Sequence, residues 1–294
     1  MVAVPAEARR SVPAQGPRVV SDVPALRAAI AEFRRAGERL ALVPTMGALH
    51  AGHIALVEAG HRVAERIVVT IFINPRQFSA NEDLARYPRD LEGDLKKLAA
   101  AGTDLVFAPN VETMYPPGFS TQVSVGGVSQ GLCGAIRPHF FGGVATVVTK
   151  LFLQAGADFA MFGEKDYQQL LVVRRMAADL DIPTKVIAVP TVREPDGVAM
   201  SSRNVYLSPA ERRVAPRLHQ VLQEIASAAR QGKSVPLAID AGIATLKPDG
   251  FGPIDYLALC DAESLTPIIR LNGPGRVLGA AWLGATRLID NVSA

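Results

Sequence analysis

Leu40-Ala41-Leu42-Val43-Pro44-Thr45-Met46-Gly47-Ala48-Leu49-His50-Ala51-Gly52-His53 passes from an apolar run through a glycine-bearing turn, and Ile54-Ala55-Leu56-Val57-Glu58-Ala59 then reads as the start of a helix. The apolar run predicts a short buried strand. Strand, turn and helix N-terminus in that order form the usual anion site of an α/β protein. Unpaired N–H groups and the positive end of the helix dipole point at a phosphate. His50 and His53 fall where that phosphate would lie, and imidazoles there can donate hydrogen bonds to a phosphoryl group whose charge grows in a transition state. Metal ligation fits less well, because no nearby Cys or acidic residue completes a ligand set. His61, eight residues beyond His53, reads as a helix-surface residue.

Working outward, apolar strands alternate with helices through the first 190 residues. Ser21 or Asp22 caps a helix to Ala36, with Gly37 as its stop. The strand over 40–44 follows, then a helix over 53–65 and a strand over 67–73. A helix over 90–101 leads to a strand over 104–108, and one over 143–155 to a strand over 158–162. A helix over 166–180 leads to a strand over 185–189. Continuous apolar strands between helices predict a parallel sheet covered on both faces, a Rossmann-like doubly wound α/β domain with ligands beyond the strand C-termini. After Pro190 the rhythm changes: helices over 209–230 and 235–246 precede strands over 254–259, 276–283 and 286–289. The expected organisation is therefore a flexible tail (1–17), the Rossmann-like domain (18–190) and a smaller α+β domain (191–294), with 190–208 as hinge and active-site loop.

Composition sets the outer limits. The chain has 294 residues, 49% apolar and 20% charged, with net charge +3. That charge, without a Lys/Arg cluster interleaved with aromatics, gives no case for nucleic acid. No apolar run approaches the roughly 18 residues of a membrane span. Cys133 and Cys260 are its two cysteines, too few for a disulfide framework, and a reducing cytoplasm is the simplest setting. The N-terminus lacks the apolar stretch of a signal peptide.

Three further segments fall at strand ends. Phe72-Ile73-Asn74-Pro75-Arg76-Gln77-Phe78 offers uncharged amides suited to a hydroxy acid, although taken alone it reads first as an Asn-Pro turn. Phe162-Gly163-Glu164-Lys165-Asp166-Tyr167-Gln168-Gln169-Leu170 pairs a small residue with a phosphate-seeking lysine. Asp166 there could cap the helix, hold Mg²⁺ or meet a ribose hydroxyl, and Gln169 falls one turn further on the same side. A capped, charged helix start is the plain alternative. Pro190-Thr191-Val192-Arg193-Glu194-Pro195-Asp196-Gly197-Val198-Ala199-Met200-Ser201-Ser202-Arg203-Asn204 can wrap a triphosphate, or form a hairpin with a polar end.

Taken together, P-T-M-G-A-L-H-x-G-H, F-I-N-P-x-Q-F, G-E-K-D-Y-Q-Q-L and A-M-S-S-R-N, with L-N-G-P-G-R and T-R-L-I-D-N near the C-terminus, resemble the pantoate–β-alanine ligases of the His-x-Gly-His nucleotidyltransferase superfamily. The likeness spans about 18 to 292. It implies an ATP-dependent ligation of pantoate and β-alanine through a pantoyl adenylate, releasing AMP and pyrophosphate. By carry-over, Met46, Gly47, Ala48, Leu49, His50, Gly52, His53, Gly163, Glu164, Lys165, Asp166, Val192, Met200, Ser201, Ser202 and Arg203 would hold ATP. His53, His50, Lys165, Ser201, Ser202 and Arg203 would be the catalytic set, and Gln77, Gln169, Asn74 and Met46 would bind substrate. Mg²⁺ would accompany the nucleotide without a protein cage, the C-terminal domain would close as a lid, and the protein would be a homodimer. Another His-x-Gly-His nucleotidyltransferase would not need the Gln77 and Gln169 pair; a binder that has lost turnover is the third reading. Three places depart from the family's usual pattern. Ala51 replaces Glu, Arg76 replaces an apolar residue, and Arg137-Pro138-His139-Phe140-Phe141-Gly142-Gly143 replaces R-P-G-H-F-R-G.

Overall fold

Every residue of the run Leu40-Ala41-Leu42-Val43 is fully buried, and successive side chains serve opposite faces of a sheet. The computed structural model describes residues 16–78 and 82–294, so the expected tail lies outside the described residues except for its last two. In chain order the elements begin with β1 (Arg18–Val20), α1 (Val23–Arg35), β2 (Leu40–Thr45), α2 (Ala51–His61) and β3 (Arg66–Ile71). Next come α3 (Leu91–Ala100), β4 (Leu105–Phe107), α4 (Val111–Met114), α5 (Leu132–Ile136) and α6 (Phe140–Ala155). Then follow β5 (Phe159–Gly163), α7 (Tyr167–Asp179), β6 (Lys185–Val189), α8 (Pro209–Val214), α9 (Pro216–Arg230) and α10 (Val235–Leu246). The chain closes with β7 (Phe251–Asp261), β8 (Gly275–Leu283) and β9 (Thr286–Ser293).

β1 to β6 form one parallel sheet in the order β1-β4-β3-β2-β5-β6. Leu40, Leu42, Val68, Leu105, Phe107 and Phe162 pack on α1, α6 and α7. Their neighbours Ala41, Val43, Ile67, Val69, Val106 and Met161 pack on α2 and α3 on the other face. The doubly wound α/β expectation is met. From β2 the chain winds outward through β3 to β4, then resumes on the opposite side of β2 with β5 and β6. Strand order therefore reverses between β2 and β5, which opens a crevice beyond their C-terminal ends. A separate antiparallel sheet, β7-β8-β9, is covered by α9 and α10 over its own core of Leu218, Val221, Leu222, Ile225, Leu257 and Val277.

Some boundaries differ from expectation. Residues 209–230 form two helices, because Pro216 has no N–H for the i−4 carbonyl and opens a new helix at its N1 position. β9 runs on to Ser293, and the three-residue β1 at the sheet edge was not anticipated. The α1 cap is Asp22, whose carboxylate accepts from the Ala25 N–H at 2.7 Å.

Candidate active site

Four strand ends, those of β2, β3, β5 and β6, surround a cavity of about 560 Å³ at the point where strand order reverses. Met46, His50, Gly52, His53, Asn74, Gln77, Gly163, Lys165, Asp166, Gln169, Val192 and Met200 to Arg203 all line it. Gly47, Ala48, Leu49 and Glu164 are not among its lining residues: the first three build the turn and the fourth pairs with Arg276 of β8.

The turn itself shows how. Gly47 (φ +81°) and Ala48 (φ +51°) both adopt left-handed backbone. Asp94 on α3, 1% exposed, holds this strained stretch by accepting from the Ala48 N–H at 2.8 Å and the Leu49 N–H at 2.7 Å. Lys97 donates to the Leu49 carbonyl at 2.8 Å. Further on, Gly52 N–H donates to His50 Nδ1 at 3.1 Å, and His50 N–H to His53 Nδ1 at 3.3 Å. A methyl group on Gly52 would lie 2.9 Å from the His50 ring. The N–H groups of Ala48, Leu49, His50, Gly52 and His53 are thus engaged within the protein, and both imidazoles line the cavity.

That arrangement fixes the tautomers. A ring nitrogen that accepts carries no proton, so each neutral imidazole bears its hydrogen on Nε2. Burial pushes the pKa of His50 down to about 4, helped by the Lys165 charge. His53 falls to about 3 through burial, then His50 and Lys165. Both rings are therefore neutral donors at physiological pH.

Around them the amides are ordered unequally. Asn74, 1% exposed, is committed within the protein: it donates to Gln77 Oε1 and the Gly143 carbonyl, both at 3.1 Å, and accepts from Tyr115 Oη at 2.8 Å. It positions Gln77, whose Nε2 lies 3.0 Å from Met46 Sδ. Gln168 turns inward and ties the carbonyls of Val128 and Gly131 to α7. Among the described residues nothing hydrogen-bonds the side chain of Gln169, which faces the cavity. Asp166 makes no side-chain cap; its carboxylate is 3.7 Å from Lys165 Nζ.

Residues 193–199 form the hairpin anticipated as the plain alternative, turning at Pro195-Asp196-Gly197. Its far side delivers Ser202, which donates to the Ala48 carbonyl at 3.0 Å, and Ser201, whose Oγ accepts from the Arg203 N–H. The Arg203 fork is held by Asp83 through two 2.8 Å bonds and lies over Tyr87. Arg137 lines the cavity too, paired with Glu82, bonded to the Gln77 carbonyl and stacked on Phe140. Sequence reading missed Glu82, Asp83 and Tyr87, since their partners lie far along the chain. Of the departures, Ala51 and His139 are exposed and Arg76 lies against Tyr115 and Phe119, whereas Phe140 and Phe141 of the 137–143 segment line the cavity beside Arg137.

Residues 18–293 match the family model described as pantoate-beta-alanine ligase. Pantothenate synthetase of Rhizorhabdus wittichii is 55% identical over 276 residues, 94% of this chain and 98% of that protein. The pantothenate synthetase of Paramagnetospirillum magneticum is 54% identical over 274 residues, covering 93% and 96%. Among solved structures, pantothenate synthetase from Thermus thermophilus superimposes with TM-score 0.88 at 50% identity, covering 94% of this chain and 98% of that one. The pantoate-beta-alanine ligase from Francisella tularensis complexed with beta-gamma ATP and beta-alanine gives TM-score 0.80 at 28% identity, covering 94% and 97%. A match over nearly the whole length, with the motifs gathered around one cavity, places this chain in the pantoate–β-alanine ligase family.

Proposed function

We propose that this chain is a pantothenate synthetase that joins pantoate to β-alanine in two steps within the cavity. The pantoate carboxylate attacks the α-phosphorus of ATP, forming pantoyl adenylate and releasing pyrophosphate. The amine of β-alanine then attacks the acyl carbon, forming the amide and releasing AMP. One observation carries the reading: neutral Nε2–H donors and the Lys165 ammonium share a cavity with the Gln77 and Gln169 carboxamides.

Each group has a task that its chemistry suits. His50 and His53 donate to phosphate oxygens whose charge grows as pyrophosphate departs. Lys165, Ser201, Ser202 and Arg203 hold the phosphates, and Arg203 exchanges Asp83 for the ligand. Gly163, Asp166, Val192, Met200 and Gly52 shape the nucleotide's place. Gln77 and Gln169 grip the hydroxyls and carboxylate of pantoate, with Met46 alongside and Asn74 fixing Gln77. No protein nucleophile is required, because positioning and charge stabilisation are what adenylation demands. Mg²⁺ would enter with ATP as part of the substrate and would supply charge neutralisation to the phosphates. Among the described residues no three His, Cys, Asp or Glu side chains gather as a cation site. We further read the 191–294 part as a lid, the enzyme as a homodimer and its setting as the cytoplasm, each supported by the family resemblance or the free, buried cysteines.

The test is pyrophosphate release from Mg-ATP. Release that requires pantoate and rises when β-alanine is added is expected; ATP binding without release would favour a binder that has lost turnover.

A further inference from the structure

The two C-terminal motifs, L-N-G-P-G-R and T-R-L-I-D-N, contribute Arg276 and Asn291. They belong to β8 and β9, yet both side chains reach the turn that follows β5. Asn291, 3% exposed, donates through Nδ2 to the Glu164 carbonyl and the Lys165 carbonyl, each at 2.9 Å. Arg276 donates from Nε to Asn291 Oδ1 at 2.6 Å and from Nη2 to Glu164 Oε2 at 3.1 Å, and its guanidinium lies 4.2 Å from the Tyr167 ring centroid. A guanidinium can only donate, so it fixes which end of the Asn291 amide faces it and leaves the two N–H groups for the carbonyls. The backbone at 291 is pinned in turn. Its N–H donates to Asp290 at 2.7 Å, and its carbonyl accepts from Arg193, the residue that also pairs with Asp290.

We propose that Asn291, oriented by Arg276, is a positioning residue that sets where the Lys165 ammonium stands in the cavity. It acts from the second sheet on the backbone of the first, so Lys165 reaches the phosphates only when the two sheets are docked. The inference rests on the proposed role of Lys165 toward ATP. Asn291→Asp keeps size and shape but replaces two donors by acceptors facing carbonyls. It should lower kcat/KM for ATP roughly 10–100-fold, the scale of a small displacement of a working group, and leave KM for β-alanine unchanged. Arg276→Gln, which frees the amide to turn, should shift the same parameter in the same direction and serves if the first variant does not fold.

The deciding experiment is a double-mutant cycle with Lys165→Ala, read both as kcat/KM and as calorimetric affinity for Mg-ATP. If Asn291 acts through Lys165, Asn291→Asp adds less than about a twofold loss in the Lys165→Ala background. A full multiplicative loss there, or unchanged ATP parameters in both single variants, overturns the proposal. Absence of pyrophosphate release by the unaltered enzyme would overturn the function instead, and the binding cycle would still decide the role of Asn291.

Discussion

Replacing His53 with alanine is expected to cost about 2–4 kcal/mol of transition-state stabilisation, roughly 30- to 1,000-fold in kcat, as for loss of one aligned donor. The variant removes the Nε2–H aimed into the cavity and the Nδ1 that accepts the His50 N–H. It thereby loosens the second imidazole as well, which places the effect toward the upper end. Single-turnover pyrophosphate release measures it, and near-normal turnover would remove His53 from the mechanism. A pH series is its companion. A histidine in an unfolded chain titrates near 6.5, whereas these two fall to about 4 and about 3, chiefly through burial. Activity should show no inflection near 6.5 from either ring. Between 6.5 and about 3 the unfolded chain binds protons that the folded chain refuses, so stability falls as pH drops through that window. An inflection near 6.5 that disappears in His53→Ala would contradict the neutral-donor role.

Asp94→Ala is expected to lower folding stability by about 2–5 kcal/mol. Its carboxylate is buried and, among the described residues, it alone accepts the Ala48 and Leu49 N–H groups at a turn with two consecutive left-handed residues. Removal leaves both donors without partners and takes a counter-charge from Lys97, whose Nζ lies 3.7 Å away. Because the same turn aims His50 and supplies the carbonyl that Ser202 holds, kcat should fall along with stability. Urea unfolding reads the first effect as a lower midpoint at constant slope. An unchanged midpoint would show that the turn stands without its acceptor.

What was legible in the sequence is what short-range chemistry writes. The apolar runs at 40–44 and 185–189 announced parallel strands, the first buried throughout its apolar part and the second at the sheet edge, and each motif at a strand end fell where an α/β sheet presents ligands. Pro216 was equally visible, yet continuous periodicity across it suggested one helix where the missing N–H makes two. The site's supporting shell was not legible, because its partners are distant. Asp83 meets Arg203 across 120 positions and Glu164 meets Arg276 across 112. Nor does a motif distinguish a group that faces the ligand from one that holds its neighbour. Gln168 and Gln169 are adjacent and identical and both line the cavity, yet the side chain of the first is tied to loop carbonyls and, among the described residues, that of the second is not. Asn74 lines the cavity and at the same time donates to Gln77, a bond no motif announces.

Transfer of ¹⁸O from the carboxylate of labelled pantoate tests the adenylate claim most directly. In the proposed sequence one carboxylate oxygen becomes the bridge to the α-phosphorus and leaves with AMP when β-alanine attacks the acyl carbon. Mass spectrometry should therefore find one labelled oxygen in AMP and none in pyrophosphate. Unlabelled AMP, or label in inorganic phosphate with ADP as the other product, would contradict adenylation at this site.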